Sequence, residues 1–207
     1  MTDWESVRHQ VAIAGRVQDA QTGQPMAGAQ IGITAAPTEF TDWLAIRAMQ
    51  YEDSWATLTE RPDRTRAAID GHFHFLDLPD GQYTLVASMP GSGSRFSVAQ
   101  AVVSVSRDAQ GHINMVAAAL ALPPTTLKGQ VIGQSAAPVA MAEVRVKGSG
   151  EWTFSDGQGQ YLLSGLEVGK RTVLVSAQGY QAASQVIDLG QAGTVQTVNF
   201  TLVPSTS

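Results

Sequence analysis

The sequence predicts an all-β protein of two tandem antiparallel β-sandwiches, the first interrupted by a helical insertion. Three observations lead there. The chain repeats itself, its apolar residues alternate with a period of two, and one stretch alone carries a helical period.

The repeat sets the organisation. GHFHFLDLPDGQYTLVAS from Gly71 aligns without a gap to GQYLLSGLEVGKRTVLVS from Gly159, every pair 88 positions apart. Gly71 meets Gly159, Phe73 meets Tyr161, Leu78 meets Leu166, Gly81 meets Gly169 and Leu85 meets Val173. Upstream, PMAGAQIGI from Pro25 lies over PVAMAEVRV from Pro138 at a spacing of 113, and IAGRV from Ile13 lies over LKGQV from Leu127. The two spacings differ by 25 residues, which places an insertion between Ile33 and Gly71.

The elements follow in order. Val11, Ile13, Gly15 and Val17 alternate with polar or small residues, the pattern of a strand buried on one face. QTGQP and LPDGQY supply turn chemistry. In the second copy Val144 and Val146 alternate with Glu143, Arg145 and Lys147. Leu120 and Leu122 close the first copy as Phe200 and Leu202 close the second. About seven short strands per copy, joined by tight turns, make a sandwich. The first sandwich is assigned to residues 1–122, the second to 127–207, and LPPTT supplies a proline-rich linker at 123–126.

The insertion, at about 38–64, has another period. Phe40, Leu44, Ala48, Tyr51, Trp55 and Leu58 fall on one helical stripe, which Trp43 and Met49 widen. Thr41 or Asp42 is the expected cap and Pro62 the expected stop. One helix is predicted to lie across the first sandwich and seal it with its aromatic residues. Any apolar remainder, with Trp43, Tyr51 and Trp55 as the candidates, would dock a partner.

Composition narrows the function. Hydrophobic residues make up 43% and charged residues 15% of 207, a folded composition. A net charge of −5 with no basic run argues against nucleic acid as a partner. Cysteine is absent, so disulfides and thiolate metal sites are excluded. MTDWESVRHQ has no apolar leader segment, and no stretch reaches the ~18–20 apolar residues of a membrane span, so the expected location is the cytoplasm.

The pattern of an opening G-x-V strand, then P-x-x-x-A-x-V, then D-G-x-F-x-F-x-x-L-P-x-G-x-Y-x-L resembles the carboxypeptidase regulatory-like domain. The first copy carries it at Gly15, Val17, Pro25, Ala29, Ile31, Gly71, Phe73, Leu78, Pro79, Gly81 and Tyr83. The second carries it at Gly129, Val131, Pro138, Ala142, Val144, Gly159, Tyr161, Leu166 and Gly169, and departs at Glu167 and Arg171, where Pro and Tyr are usual. The resemblance implies a transthyretin-like (prealbumin-like) sandwich of the seven-stranded type. It also implies service as an appendage, adhesive module or spacer rather than as a catalyst. The carboxypeptidase itself would need a separate, larger domain. Chains with two such copies and no leader are similar to accessory proteins of bacterial phage-tail-like contractile injection systems.

Candidate chemistry is sparse. His72 and His74 share one strand face and can chelate a metal in principle, with Asp70 as the local third ligand. The second copy has Gln160 and Leu162 there, so solvent-facing strand residues are expected and no metal or cofactor is assigned. GSGSR at Gly91 and GSGEW at Gly148 lack the spacing of a phosphate loop and read as hairpin loops, and no nucleophile elbow is present. Lys128 and Asn199 suggest the intramolecular isopeptide bond of related surface modules, but alternation turns both outward. Trp152 and Phe154 are expected to share a core-facing strand face. If exposed, they and Tyr180 would suit a partner or a sugar. The expected function is a non-catalytic binding or assembly module whose partners are other proteins. A carbohydrate-binding module is the alternative, with a metal-dependent enzyme behind it.

Overall fold

The computed structural model describes residues 9–58 and 61–205. The chain forms two compact units, Met1–Gly91 with Val98–Leu122 and Ser92–Ser97 with Pro123–Ser207. Each is a β-sandwich, as the alternation predicts.

Unit 1 contains β1 (Val11–Asp19), β2 (Gln30–Ala35), α1 (Thr38–Tyr51), α2 (Ser54–Thr57), β3 (Arg64–Arg66), β4 (His72–Leu76), β5 (Gly81–Ser88), β6 (Ala99–Arg107), β7 (Ile113–Asn114) and β8 (Val116–Leu122). One sheet runs β4-β1-β8 and the other β3-β2-β5-β6-β7. Unit 2 repeats the plan with β9 (Thr126–Gly133), β10 (Glu143–Val146), β11 (Trp152–Phe154), β12 (Gln160–Ser164), β13 (Gly169–Ser176), β14 (Ala183–Leu189), β15 (Val195–Thr197) and β16 (Phe200–Leu202). Its sheets run β12-β9-β15, with β16 also on β9, and β11-β10-β13-β14. Pairing is antiparallel except where first strand meets last, β1 with β8 and β9 with β15 and β16.

The repeat has a packing cause. Phe73 stands opposite Gly15 and Tyr161 opposite Gly129. A Cβ on Gly15 would lie 2.5 Å from the Phe73 ring and 2.2 Å from the Ala118 carbonyl oxygen, and one on Gly129 would lie 1.7 Å from that of Val198. The glycine lets three strands close over an aromatic ring. Around it unit 1 buries Ile13, Val17, Ile31, Phe75, Leu85 and Leu120, and unit 2 buries Leu127, Val131, Val144, Leu163, Val175 and Phe200.

The structure corrects several expectations. The insertion is not one helix. It breaks at Glu52, whose φ of 46° is left-handed, into α1 and the four-residue α2, which ends before Pro62. Neither Thr41 nor Asp42 caps it, because α1 begins at Thr38 behind Pro37. The proline-rich segment 123–126 is tied into unit 2. Thr125 and Thr126 are buried in unit 2, the Ser97 N–H donates to the Pro123 carbonyl at 2.9 Å, and the Thr125 N–H donates to that of Arg95 at 2.8 Å. The GSGSR stretch lies in the β5–β6 hairpin connection, yet residues 92–97 belong to unit 2.

Candidate functional site

In unit 1 the insertion is anchored by one fully inserted side chain. Phe40 is buried and meets Tyr83 edge-on, ring centroids 5.8 Å apart. Tyr83 is held in turn by its hydroxyl, which donates to the Pro79 carbonyl at 2.9 Å, and burial pushes its phenol up to about 12. The ring therefore stays a neutral donor at ordinary pH.

The rest of α1 does not seal the sandwich. Trp43, Ile46, Met49 and Tyr51 are 40%, 57%, 76% and 46% exposed, while Leu44, Ala48, Trp55 and Leu58 are only half-buried. The Arg47 guanidinium sits 5.3 Å above Trp43, and that of Arg61 sits 4.7 Å above Trp55, which Tyr51 approaches at 5.9 Å. Rings capped by arginine present large, rigid apolar area with a cation attached, the composition of binding hot spots.

Below the insertion is a cleft of about 750 Å³. Phe40, Trp43 and Pro62 line one part, Phe75, Leu76 and His74 of β4 another, and Arg64, Thr65 and Arg66 of β3 a third. Arg61 is neutralised by Asp63 through bonds of 2.8 and 2.5 Å. Asp77 pairs with His9 and accepts the Gln10 N–H at 2.8 Å. Burial opposes its ionisation, but the Gln10 N–H, His9 and Arg107 outweigh that and hold its carboxyl below 3.8. The arginines of RPDRTR carry no signal of this cleft in the sequence, since three cations in six residues read as a solvated surface until a wall is placed beside them.

His72 and His74 lie on the exposed face of β4, and Phe73 and Phe75 on the buried one, as alternation predicts. Asp70 serves the turn. Its Oδ1 accepts the His72 N–H at 3.0 Å and its Oδ2 meets His72 Nδ1 at 3.0 Å, and the N–H bond foremost lowers its pKa from 3.8. Among the described residues no three His, Asp or Glu side chains gather as a metal-holding group. Among them, too, no helix is long and apolar enough to cross a membrane.

In unit 2, Trp152 and Phe154 do not face the core. They stand 60% and 44% exposed on edge strand β11, rings 5.3 Å apart. Ser155 sets this parity. It is buried, its hydroxyl donates to the Val139 carbonyl at 2.6 Å and accepts the Ala142 N–H at 2.9 Å, and the residues before it alternate outward from there. A groove of about 560 Å³ lies alongside, lined by Phe154 and Leu162 with Gln130, Gln160, Asn199 and Lys128. Lys128 and Asn199 are both exposed, and Asn199 Oδ1 accepts the Gln130 N–H at 2.9 Å. Tyr180 is half-buried against the unit 2 core, so it packs rather than projects.

The two departures from the repeat pattern explain each other. Where Tyr83 reaches the Pro79 carbonyl, Arg171 Nε donates to the Glu167 carbonyl at 3.0 Å, so the turn keeps a side-chain tie four residues back. Glu167 gains a carboxylate that proline cannot offer. It accepts Ser94 Oγ–H at 2.5 Å and the Ser94 N–H at 3.0 Å, and Arg95 Nε lies 3.2 Å away. Arg95 also pairs with Glu151. The Ser94 hydroxyl and N–H, then Arg95 and Arg171, hold the Glu167 carboxyl below 4.5.

The carboxypeptidase regulatory-like domain family matches residues 12–117 and again 126–203, and the chain belongs to that family. A search of the curated proteins finds no match. Among solved structures, the shaft pilin SpaA of Lactobacillus rhamnosus GG is similar at 12% identity over 97% of this chain and 98% of that one, with a TM-score of 0.45. The minor pilin GBS52 of Streptococcus agalactiae is 15% identical over 94% and 96%, at 0.32. A cohesin–X-dockerin complex from Acetivibrio cellulolyticus is 16% identical over 37% of this chain at 0.30, and the match spans 56% of that chain.

Proposed function

We propose that this protein works by binding other proteins, as a non-catalytic module of a larger assembly, and that the insertion of unit 1 is its docking face. The observation that carries this reading is α1 itself. Fourteen helical residues are anchored by Phe40 and leave two aromatic rings, Ile46 and Met49 in solvent. The sandwich does not need them, since unit 2 closes the same strand path without an insertion. Exposed apolar area of this kind marks an interaction surface. The finer reading, a contractile injection system, rests on family context and on no residue of the chain.

Affinity purification from the native cell, with wild type beside a Trp43→Ala/Tyr51→Ala variant, tests the proposal. A stoichiometric protein complex lost in the variant supports it. Free chain alone, or a complex indifferent to both changes, refutes it. Sheath, tube or baseplate proteins in that complex would favour the finer reading.

A second reading has its own observation. Trp152 and Phe154 stand exposed beside a groove that also carries three amide side chains, a combination suited to stacking and hydrogen bonding a sugar. Glycan-array binding abolished by Trp152→Ala would favour it.

A further inference from the structure

We infer that the unit 1 cleft takes an extended, acidic segment of a partner protein, added as a strand to β4 with its carboxylate on Arg64 and Arg66. This rests on the assembly reading above and names the partner's chemistry.

The shape argues for an extended segment. Two cleft walls are sheet edges, since β4 pairs only with β1 and β3 only with β2. On β4 the peptide groups that face β1 are fixed by the register: Gly71 accepts the Val17 N–H, and the Asp77 N–H donates to Gln10. The intervening residues turn their peptide groups the other way, as the His72 carbonyl does in accepting the Ala68 N–H at 2.8 Å. His74 and Leu76 are next in that series. Among the described residues no strand pairs with their outer edge, and both line the cleft. An unpaired edge beside an apolar hollow is the geometry of strand addition, in which the ladder gives affinity and pockets for alternate side chains give specificity.

The charge argues for an acid. Within the cleft Arg61 is satisfied by Asp63, and Asp77 by His9 and Gln10. Arg64 spends one nitrogen on the Ala56 carbonyl at 3.2 Å, while its buried Nε has no hydrogen-bond partner. Arg66 is exposed and pairs with no carboxylate among the described residues. Glu39 is the remaining lining acid, so two arginines face one carboxylate in a chain whose net charge is −5. A carboxylate from the partner would pair with the exposed Arg66 through the planar fork arginine offers, with the Arg64 charge two residues along the same strand.

The test is selection from a random linear peptide library displayed on phage, with the full chain as bait, followed by fluorescence polarisation on the enriched peptides. Enriched sequences should alternate apolar and polar residues around an Asp or Glu. Their affinity should fall at least about tenfold in Arg64→Gln/Arg66→Gln and should weaken with salt. Arg66→Gln alone spares the Ala56 bond and should still weaken binding. His74→Pro removes an outward N–H on an edge strand and should weaken binding with both arginines in place. Circular dichroism melts establish that each variant is folded. No enriched peptide, or peptides indifferent to both arginines and to His74→Pro, would overturn the proposal. So would binding that tightens tenfold once residues 1–8 are removed, which would make this chain's own terminus the occupant. A double variant that binds no peptide yet still forms the native complex leaves the assembly reading standing and removes the cleft from it. A complex lost in Trp43→Ala/Tyr51→Ala while peptide binding persists separates the two the other way.

Discussion

At the scale of single residues, β4 gives the sharpest contrast. Phe73 is 3% exposed in the core and its neighbours on either side face solvent. Phe73→Ala should cost ~3–5 kcal/mol in urea denaturation, as for a core aromatic. His72→Gln and His74→Leu, which copy unit 2, should stay within about ±0.5 kcal/mol. Equal losses at all three positions would contradict the alternation. Glu167 supplies a pH prediction. Its folded-state pKa is lowered from 4.5, so its stabilising contribution is present above that value and is lost as pH falls through the lowered one. Melting temperature should therefore drop on acidification below about 4.5, and Glu167→Gln should flatten that slope. An unchanged slope in the variant would show that the Ser94 and Arg95 contacts do not matter to stability.

At the level of elements, the side chain that holds the insertion is distinct from those it presents. Phe40→Ala removes its buried anchor and should cost ~1.5–3 kcal/mol by chemical denaturation, the worth of one buried side chain. Trp43→Ala removes a ring that is 40% exposed and should cost well under half of that. Replacing residues 38–58 with a short Gly-Ser turn should leave a folded, cooperative β protein, and loss of the cooperative transition would show that the helix is core. This division was not legible in the sequence. A 3.6-residue period says that one face is apolar, and it is silent on whether a sheet lies beneath it. The strand path was legible, because the Gly15–Phe73 and Gly129–Tyr161 pairings force small and aromatic residues into matching places. The parity of β11 was not. Three residues are too few to set a phase, and Ser155 sets it through Val139 and Ala142, more than twelve positions away. For the same reason residues 123–126 read as a linker, since their partners Ser94 and Arg95 lie far back in the chain.

At the scale of the whole molecule, one sandwich is built twice and the copies differ where function is expected. Both share the glycine–aromatic core, and both tie the turn before their fifth strand by a side chain reaching back four residues. The first adds the insertion, its exposed rings and the arginine-lined cleft. The second adds the Glu167 network that holds residues 92–97 and the exposed pair on β11. The central claim is that the first addition, and not the second, meets the partner. Site-specific photo-crosslinking in the native cell tests it most directly, with a photoreactive phenylalanine analogue replacing Trp43 in one strain and Trp152 in another. A discrete protein adduct is expected from position 43 and none from position 152. Adducts from position 152 alone, or none from position 43 in a protein shown to be folded and expressed, would contradict it.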